Sequence, residues 1–228
     1  PGNHMLQSTS AARPLMSARR NLLTYTEDFS NAAWAKADVS ITPNSITSPD
    51  NGVTASKVTS SGSVTTAYIF HDIQNVALFS HSFYAKAGTS NFACFTTNTN
   101  ACYANFNIST GSVASYSGCT AAISAVGDGW YRCSITEPAS GIYFMILGKD
   151  ADPGAQPYGT GVWASGNYIY LWGPQLQYGP SVVTPYQSVP GDGSTYATDF
   201  PIYQKYDGTD DGMATATFTA GTLINGMD

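Results

Sequence analysis

The chain has 228 residues with a formal net charge of −6, and only nine Lys plus Arg, spread singly, so no basic stripe exists to neutralise a phosphate backbone and nucleic acid is not an expected partner. No apolar stretch reaches the ~20 residues a membrane helix needs; the longest run, Ile142 to Leu147, has the length of a buried strand, and membrane insertion is not expected. Charged residues are 11% of the chain, while Ser, Thr, Asn, Gly and Tyr fill the spaces between short apolar runs, a surface that suits β-sandwiches better than long solvent-facing helices.

In chain order, the first residues, PGNHMLQSTSAARP, lack the apolar core of a secretory signal peptide, and residues 1–18 have no strand pattern. A short helix is expected at Ser30 to Lys36, with Asp28 or Ser30 as its cap. Strands are then predicted at Ala55 to Thr59, Ala67 to Ile73, His81 to Ala87, Phe92 to Thr96, Ala101 to Ile108, Val113 to Tyr116, Ala121 to Val126, Trp130 to Thr136, Ile142 to Lys149 and Tyr168 to Leu176. Turn signals such as Asn-Thr-Asn, Ser-Thr-Gly, Gly-Asp-Gly and Asp-Pro-Gly separate them, so the expected class is all-β, a barrel or a sandwich of two antiparallel sheets. Lys149 to Gly166 reads as a long loop carrying Tyr158 and Trp163, and from Ser188 onward the composition turns to Gly, Pro and Asp.

A chain this long removes roughly 70% of its unfolded surface from water, so neither disulfides nor metals are required for folding. Cys94, Cys102, Cys119 and Cys133 match no zinc or redox spacing. Either Cys102 pairs with Cys94 or Cys119 across a hairpin, or all four stay buried thiols.

No Gly-x-Ser-x-Gly elbow, His-Glu-x-x-His pair, P-loop or Gly-x-Gly-x-x-Gly unit occurs, and no spacing singles out a carboxylate pair, so the expectation is a non-catalytic protein without a cofactor. His71 alternates with Ile69 and Ile73, and His81 with Phe83 and Ala85, which reads as structural histidines at or near the core. Asp207, Asp210 and Asp211 read as turn-stabilising acids, with calcium as the other reading.

The positive signal is aromatic: fifteen Tyr, ten Phe and four Trp. Strand parity puts Tyr168, Tyr170 and Trp172 on one face, Tyr84 with Lys86, and Trp130 with Arg132. If those faces coincide, Tyr84, Lys86, Trp130, Arg132, Tyr170 and Trp172 line a sugar-stacking platform, with Tyr158 and Trp163 on the long loop as its rim; the competing reading gives Trp130 and Trp172 to the fold.

The run NLLTYTEDFSNAAW, the strand FYAKAGT, the passage from ANFNISTGSV to GDGWYRCSIT and the closing YLWGPQLQYG, taken in that order, resemble the carbohydrate-binding-like jelly-roll modules of phage tail, fibre and head-appendage proteins. The resemblance implies a non-catalytic jelly-roll module at 19–187, located on a virion outside the cell and adhering to bacterial surface polysaccharide. A structural module contacting other virion proteins, as a homotrimer, is the alternative. In related modules acids near the first and last strands hold calcium, which makes Glu27 and Asp28 the candidates here. The flanks, PGNHMLQ and YQKYDGTDDGM, resemble two consecutive segments of concanavalin- or laminin-G-like domains. That likeness implies that the jelly roll is inserted in a second domain, of which 1–18 and 188–228 are pieces, and that the chain is a fragment of a longer protein.

Overall fold

The computed structural model describes residues 15–16, 21–76, 79–97, 102–137, 141–178, 183–189, 191 and 204–205. In chain order the strands are β1 (Leu15–Met16), β2 (Trp34–Ala37), β3 (Val39–Ile46), β4 (Ala55–Ser60), β5 (Tyr68–Val76), β6 (Phe79–Ala87) and β7 (Phe92–Thr96). There follow β8 (Tyr103–Asn107), β9 (Ser112–Ser117), β10 (Thr120–Gly127), β11 (Trp130–Glu137), β12 (Gly141–Lys149), β13 (Tyr168–Tyr178) and β14 (Gln204–Lys205). Two compact units result, Arg19–Asp199 and a smaller one of Pro1–Ala18 with Phe200–Asp228.

The larger unit is a β-sandwich of two six-stranded antiparallel sheets, ordered β10-β11-β6-β13-β4-β3 and β2-β5-β12-β7-β8-β9, and no helix occurs among the described residues. Period-two alternation decides which side chains enter the space between the sheets. On β6, Phe79, His81, Phe83 and Ala85 are buried inward; β11 adds Cys133 and Ile135, β13 adds Ile169, Leu171 and Leu176, and the other sheet adds Phe95, Phe106, Phe144 and Ile146. Each fully buried Phe or Leu of this kind contributes about 1.5–3 kcal/mol by leaving water.

All ten strands expected from alternation are present. The helix expected at Ser30 to Lys36 is not: Asp28, Asn31 and Trp34 each donate a backbone bond three residues back, and strand β2 begins at Trp34. The Asp28 and Asn31 carboxyl and amide oxygens accept from the backbone N–H two residues on, of Ser30 and Ala33, at 3.0 and 2.9 Å. These side-chain bonds favour turns over helix, and the burial of Trp34 against Phe29 (4.9 Å between ring centroids) and Phe144 (6.1 Å) fixes the strand. β3 is an edge strand that carries Pro43 and a left-handed Asn44 (φ 52°) inside a bulge, features that mask a strand in the sequence.

The cysteines form no disulfide. Cys94 lies on the outer face of its sheet with Met145 and Leu147, whereas Cys102 belongs to the core between the sheets, so a Cys94–Cys102 bridge, one of the alternatives left open by the sequence, would have to cross the sheet. Cys119 is half-buried rather than buried, and its thiol donates to the Tyr103 carbonyl at 3.3 Å.

The two ends of the sandwich leave it side by side. Leu22, Tyr25 and Thr26 donate backbone bonds to the carbonyls of Leu176, Gly191 and Val189, and the Asn21 amide nitrogen donates to Pro174 and Gln187 while its oxygen accepts from Leu23 and Leu176. The sandwich therefore runs past Gln187, beyond the boundary expected from the sequence, to at least Gly191. In the smaller unit β1 pairs antiparallel with β14, Leu15 opposite Lys205 and Met16 opposite Gln204. Asp207, Asp210, Asp211 and the Asn98-Thr99-Asn100 turn lie outside the described residues.

The long loop after β12 is fastened at Trp163, which is buried in the core and donates its indole N–H to Ser90 Oγ at 2.9 Å. Its ring lies flat on Gly148, where an added Cβ would stand 2.3 Å from the indole carbons. Replacing Gly148 by Ala is therefore expected to cost about 1–3 kcal/mol through overpacking. Gly62, whose nearest neighbour to an added Cβ is Val64 at 3.5 Å, serves as the control: Gly62→Ala should stay within about 0.5 kcal/mol of the parent in urea unfolding.

Candidate functional site

The outer face of the β10-β11-β6-β13-β4-β3 sheet gathers six of the residues singled out by parity. Trp130 lies opposite Lys86, and Lys86 opposite Tyr170; one row further on, Arg132 lies opposite Tyr84 and Tyr84 opposite Trp172. Alternation places all six away from the core, so the expected coincidence of faces occurs.

Three of them are covered. Trp172, Tyr84 and Trp130 are 3%, 8% and 2% exposed, and they form a second, small apolar cluster with Ala55, joined by Ile46, Tyr170 and Tyr186. The segment after β3 closes over this cluster: Trp130 donates its indole N–H to the Thr47 carbonyl at 3.1 Å, and Trp172 donates to Thr54 Oγ1 at 2.9 Å. From the other side Tyr186 sets its ring 4.4 Å from that of Trp172 and 6.1 Å from that of Tyr84. The open aromatic platform expected from the sequence is thus a buried bed at these three positions, because loops distant in sequence fold back across the face.

Arg132 belongs to the same bed. One terminal nitrogen donates to Ser82 Oγ at 2.9 Å and to the Thr184 carbonyl at 2.5 Å, the guanidinium carbon stands 5.5 Å from the Tyr84 ring centroid, and Nε is buried without a hydrogen-bond partner. Burial lowers the Arg132 pKa and raises that of Tyr84, each partly offset by the other. Arg132 thus acts as a clamp on the 183–187 segment, assisted by Gln175 and Gln177, whose side chains bond Thr184.

What remains open is a cleft of about 460 Å³ lined by Ile46, Thr47, Ser48, Lys86, Asp128, Trp130 and Tyr170. Tyr170 and Lys86 are half-buried and Asp128 is exposed. The tight turn between β10 and β11 builds one wall: Gly127, Asp128 and Gly129 all take positive φ (101°, 49° and 74°), which brings the Asp128 carbonyl to Lys86 Nζ at 2.6 Å. Such a run favours glycine on either side of an Asp. Ser48 Oγ donates to Asp50 at 2.6 Å and so orders the opposite wall. Beside the cleft, Tyr168 meets Tyr170 edge to face at 5.4 Å, and Lys57 Nζ stands 3.9 Å above the Tyr168 ring. Burial, with the hydrogen bond to Tyr168, raises the Tyr170 pKa.

The rim expected from Tyr158 and Trp163 does not form here. Trp163 is a core residue, and the exposed Tyr158 rests 5.8 Å from Tyr68 on β5, a strand of the other sheet. Sequence reasoning missed Thr47, Ser48 and Asp128, which come from loops and a turn, and Tyr186, whose covering role leaves no local pattern. Lys57 was missed as well: alternation on β4 assigns its face, but only the strand register sets it opposite Tyr170.

The calcium candidates are engaged otherwise. Glu27 accepts from the Tyr186 hydroxyl at 3.2 Å, and Asp28 accepts from the Ser30 backbone N–H and hydroxyl. Among the described residues no group of three or more His, Cys, Asp or Glu gathers to hold a metal. His81 is buried between Phe95 and Phe144, 4.8 and 5.5 Å between ring centroids. His71 contacts Thr24 Oγ1 at 3.0 Å and the Asp72 carbonyl at 3.0 Å, and burial lowers its pKa.

One buried cation pins the long loop across the outer face of the other sheet. Lys149 is fully buried and its ammonium donates to the carbonyls of Thr65 and Gly161 at 2.8 and 2.9 Å, while Asp150 binds Ser90, Ala164 and Asn167. Burial lowers its pKa from 10.5 to about 8.

No family model matches the chain, and no curated protein matches it.

Two expectations follow from this geometry. Trp172→Ala should lose about 3–5 kcal/mol in denaturant unfolding, the cost of emptying a buried aromatic site. For Lys149, the folded protein gives up its proton at a lower pH than the unfolded chain does, so between about pH 8 and 10.5 the unfolded state binds more protons and this group's contribution to stability rises with pH. The stability of the parent minus that of Lys149→Met, measured at both ends of that window, should increase towards the alkaline end; a flat difference contradicts the assignment.

Proposed function

We propose that the sandwich is a non-catalytic saccharide-binding module, borne on a phage tail, fibre or other virion appendage and adhering to bacterial surface polysaccharide. The observation that carries the reading is the half-exposed Tyr170 ring at a cleft edged by Thr47, Ser48, Lys86 and Asp128. A pyranose has an apolar C–H face that stacks on an aromatic plane and a rim of hydroxyls that need donors and acceptors. Lys86 supplies donors, Asp128 and the Thr47 side chain supply acceptors, and the volume falls in the range of small-molecule sites.

The buried bed beneath gives the cleft its rigidity. Tyr170 packs against the cluster of Trp130, Trp172 and Tyr84, so its ring is held in place before a ligand arrives, which lowers the ordering cost of binding. The order of motifs shared with jelly-roll modules of phage appendages supports the virion setting. The adjacent ends of the sandwich and the β1–β14 pairing agree with its being carried as an insertion in a second, lectin-like domain.

The test is a glycan array probed with the whole chain, followed by Tyr170→Ala. The variant should keep its unfolding free energy within about 1 kcal/mol of the parent, as a half-exposed side chain, and lose saccharide binding by at least about tenfold. Absence of binding to any glycan, together with a stable homotrimeric mass, would instead favour a structural module that contacts neighbouring virion subunits.

A further inference from the structure

We propose that the cleft takes an acidic saccharide, with the ring laid over Tyr170 and its carboxylate held between Lys57 and Lys86. This rests on the saccharide reading above and names the chemical class of its ligand.

The strand register places the two lysines. Trp130, Lys86, Tyr170, Lys57 and Thr42 are successive partners on β11, β6, β13, β4 and β3, so they form one row across the outer face. Neighbouring strands are ~4.8 Å apart, which sets the Cα atoms of Lys57 and Lys86 roughly 10 Å from each other with Tyr170 between them. A single sugar ring over Tyr170 is within reach of both flexible stems.

Both ammonium groups keep donors for a ligand. Lys86 gives one N–H to the Asp128 carbonyl, and Lys57 lies over the face of Tyr168, a contact that holds the charge in place by its attraction to the ring and consumes no hydrogen bond. Lys57, Lys86, Tyr168 and Tyr170 are all half-buried, hence partly ordered and still accessible. The other described cations of the sandwich are committed elsewhere: Lys36 to the carbonyls of Ser30, Asn31 and Trp34, Arg132 to Thr184, and Lys149 to Thr65 and Gly161.

In a chain of net charge −6, two such cations flanking one tyrosine mark the place where a negative group is welcome. Two acids stand near. The Asp50 carboxylate is taken by Ser48 Oγ and the Gly52 N–H. Asp128 lines the cleft beside Trp130, on the Lys86 side of Tyr170 and away from Lys57, where its carboxylate can accept from sugar hydroxyls.

The experiment uses the full chain and three acidic oligosaccharides, a galacturonate, a glucuronate and a sialate, each with its carboxyl-reduced neutral counterpart, titrated by calorimetry at low and high NaCl. The expected result is that at least one acid binds about tenfold or more tighter than its counterpart, the gain of a charge-assisted pair. Added salt should weaken the acid more than the neutral sugar. Lys57→Met and Lys86→Met, which keep the apolar stems, should each raise the Kd of the acid by about tenfold; Lys57→Met should leave that of the neutral sugar unchanged, while Lys86→Met, which also removes a donor to the sugar hydroxyls, should weaken the neutral sugar less than the acid, with far-UV circular dichroism as the check on folding. Equal Kd values for acid and reduced forms, or binding of neutral sugars alone, overturn the inference and leave the saccharide reading standing. Binding of none of the six overturns both.

Discussion

The structure depends on the register of β6 between β11 and β13. In FSHSFYAKA every second residue is apolar or aromatic and enters the core, and the residues between them supply the outer face with Ser80, Ser82, Tyr84 and Lys86. Because the side-chain period is two, a slip of one residue would send Phe79, Phe83 and Ala85 into water and Lys86 into the core. Burial of the Phe side chains therefore also fixes where Lys86 stands beside Tyr170 and Trp130. The chemistry of the open face is a by-product of the packing on the closed one.

Much of the fold was legible for that reason. Alternation located ten strands and sorted their faces, and it put Tyr84, Lys86, Trp130, Arg132, Tyr170 and Trp172 on one surface. It failed where local pattern is weak or misleading. Trp34 sits in an Ala-rich run that reads as a helical turn, and β3 carries a Pro and a left-handed Asn in a bulge. Accessibility was not legible, since it is set by segments remote in sequence: Thr47 and Thr54 cap the two indoles, and Tyr186 reaches back over Trp172. Six aromatic and basic positions thus divide into a bed of Trp130, Trp172, Tyr84 and Arg132 and the more accessible pair Tyr170 and Lys86 at the cleft.

The two outer faces are closed by different means. On the first, the 183–187 segment is clamped by Arg132, Gln175 and Gln177, and Tyr186 joins the start of the sandwich through Thr26 and Glu27. On the second, Lys149 and Asp150 fasten the long loop, and Asn105 adds a bond to the Ala155 carbonyl. Buried polar groups of this kind lend position more than stability, because their desolvation offsets most of what their bonds return. They hold loops whose own apolar content is too small to pack them, and the cleft beside Tyr170 lies on the first of these faces.

On the reading proposed above, ligand meets protein at the outer face of the β10-β11-β6-β13-β4-β3 sheet. A titration of the isotopically labelled chain with a bound glycan, read as amide chemical-shift changes residue by residue, tests it most directly. The shifts should cluster at Ile46 to Ser48, Lys57, Lys86, Asp128 to Trp130 and Tyr168 to Tyr170. Shifts centred instead on Tyr68, Tyr158 and the loop over the opposite sheet would contradict it.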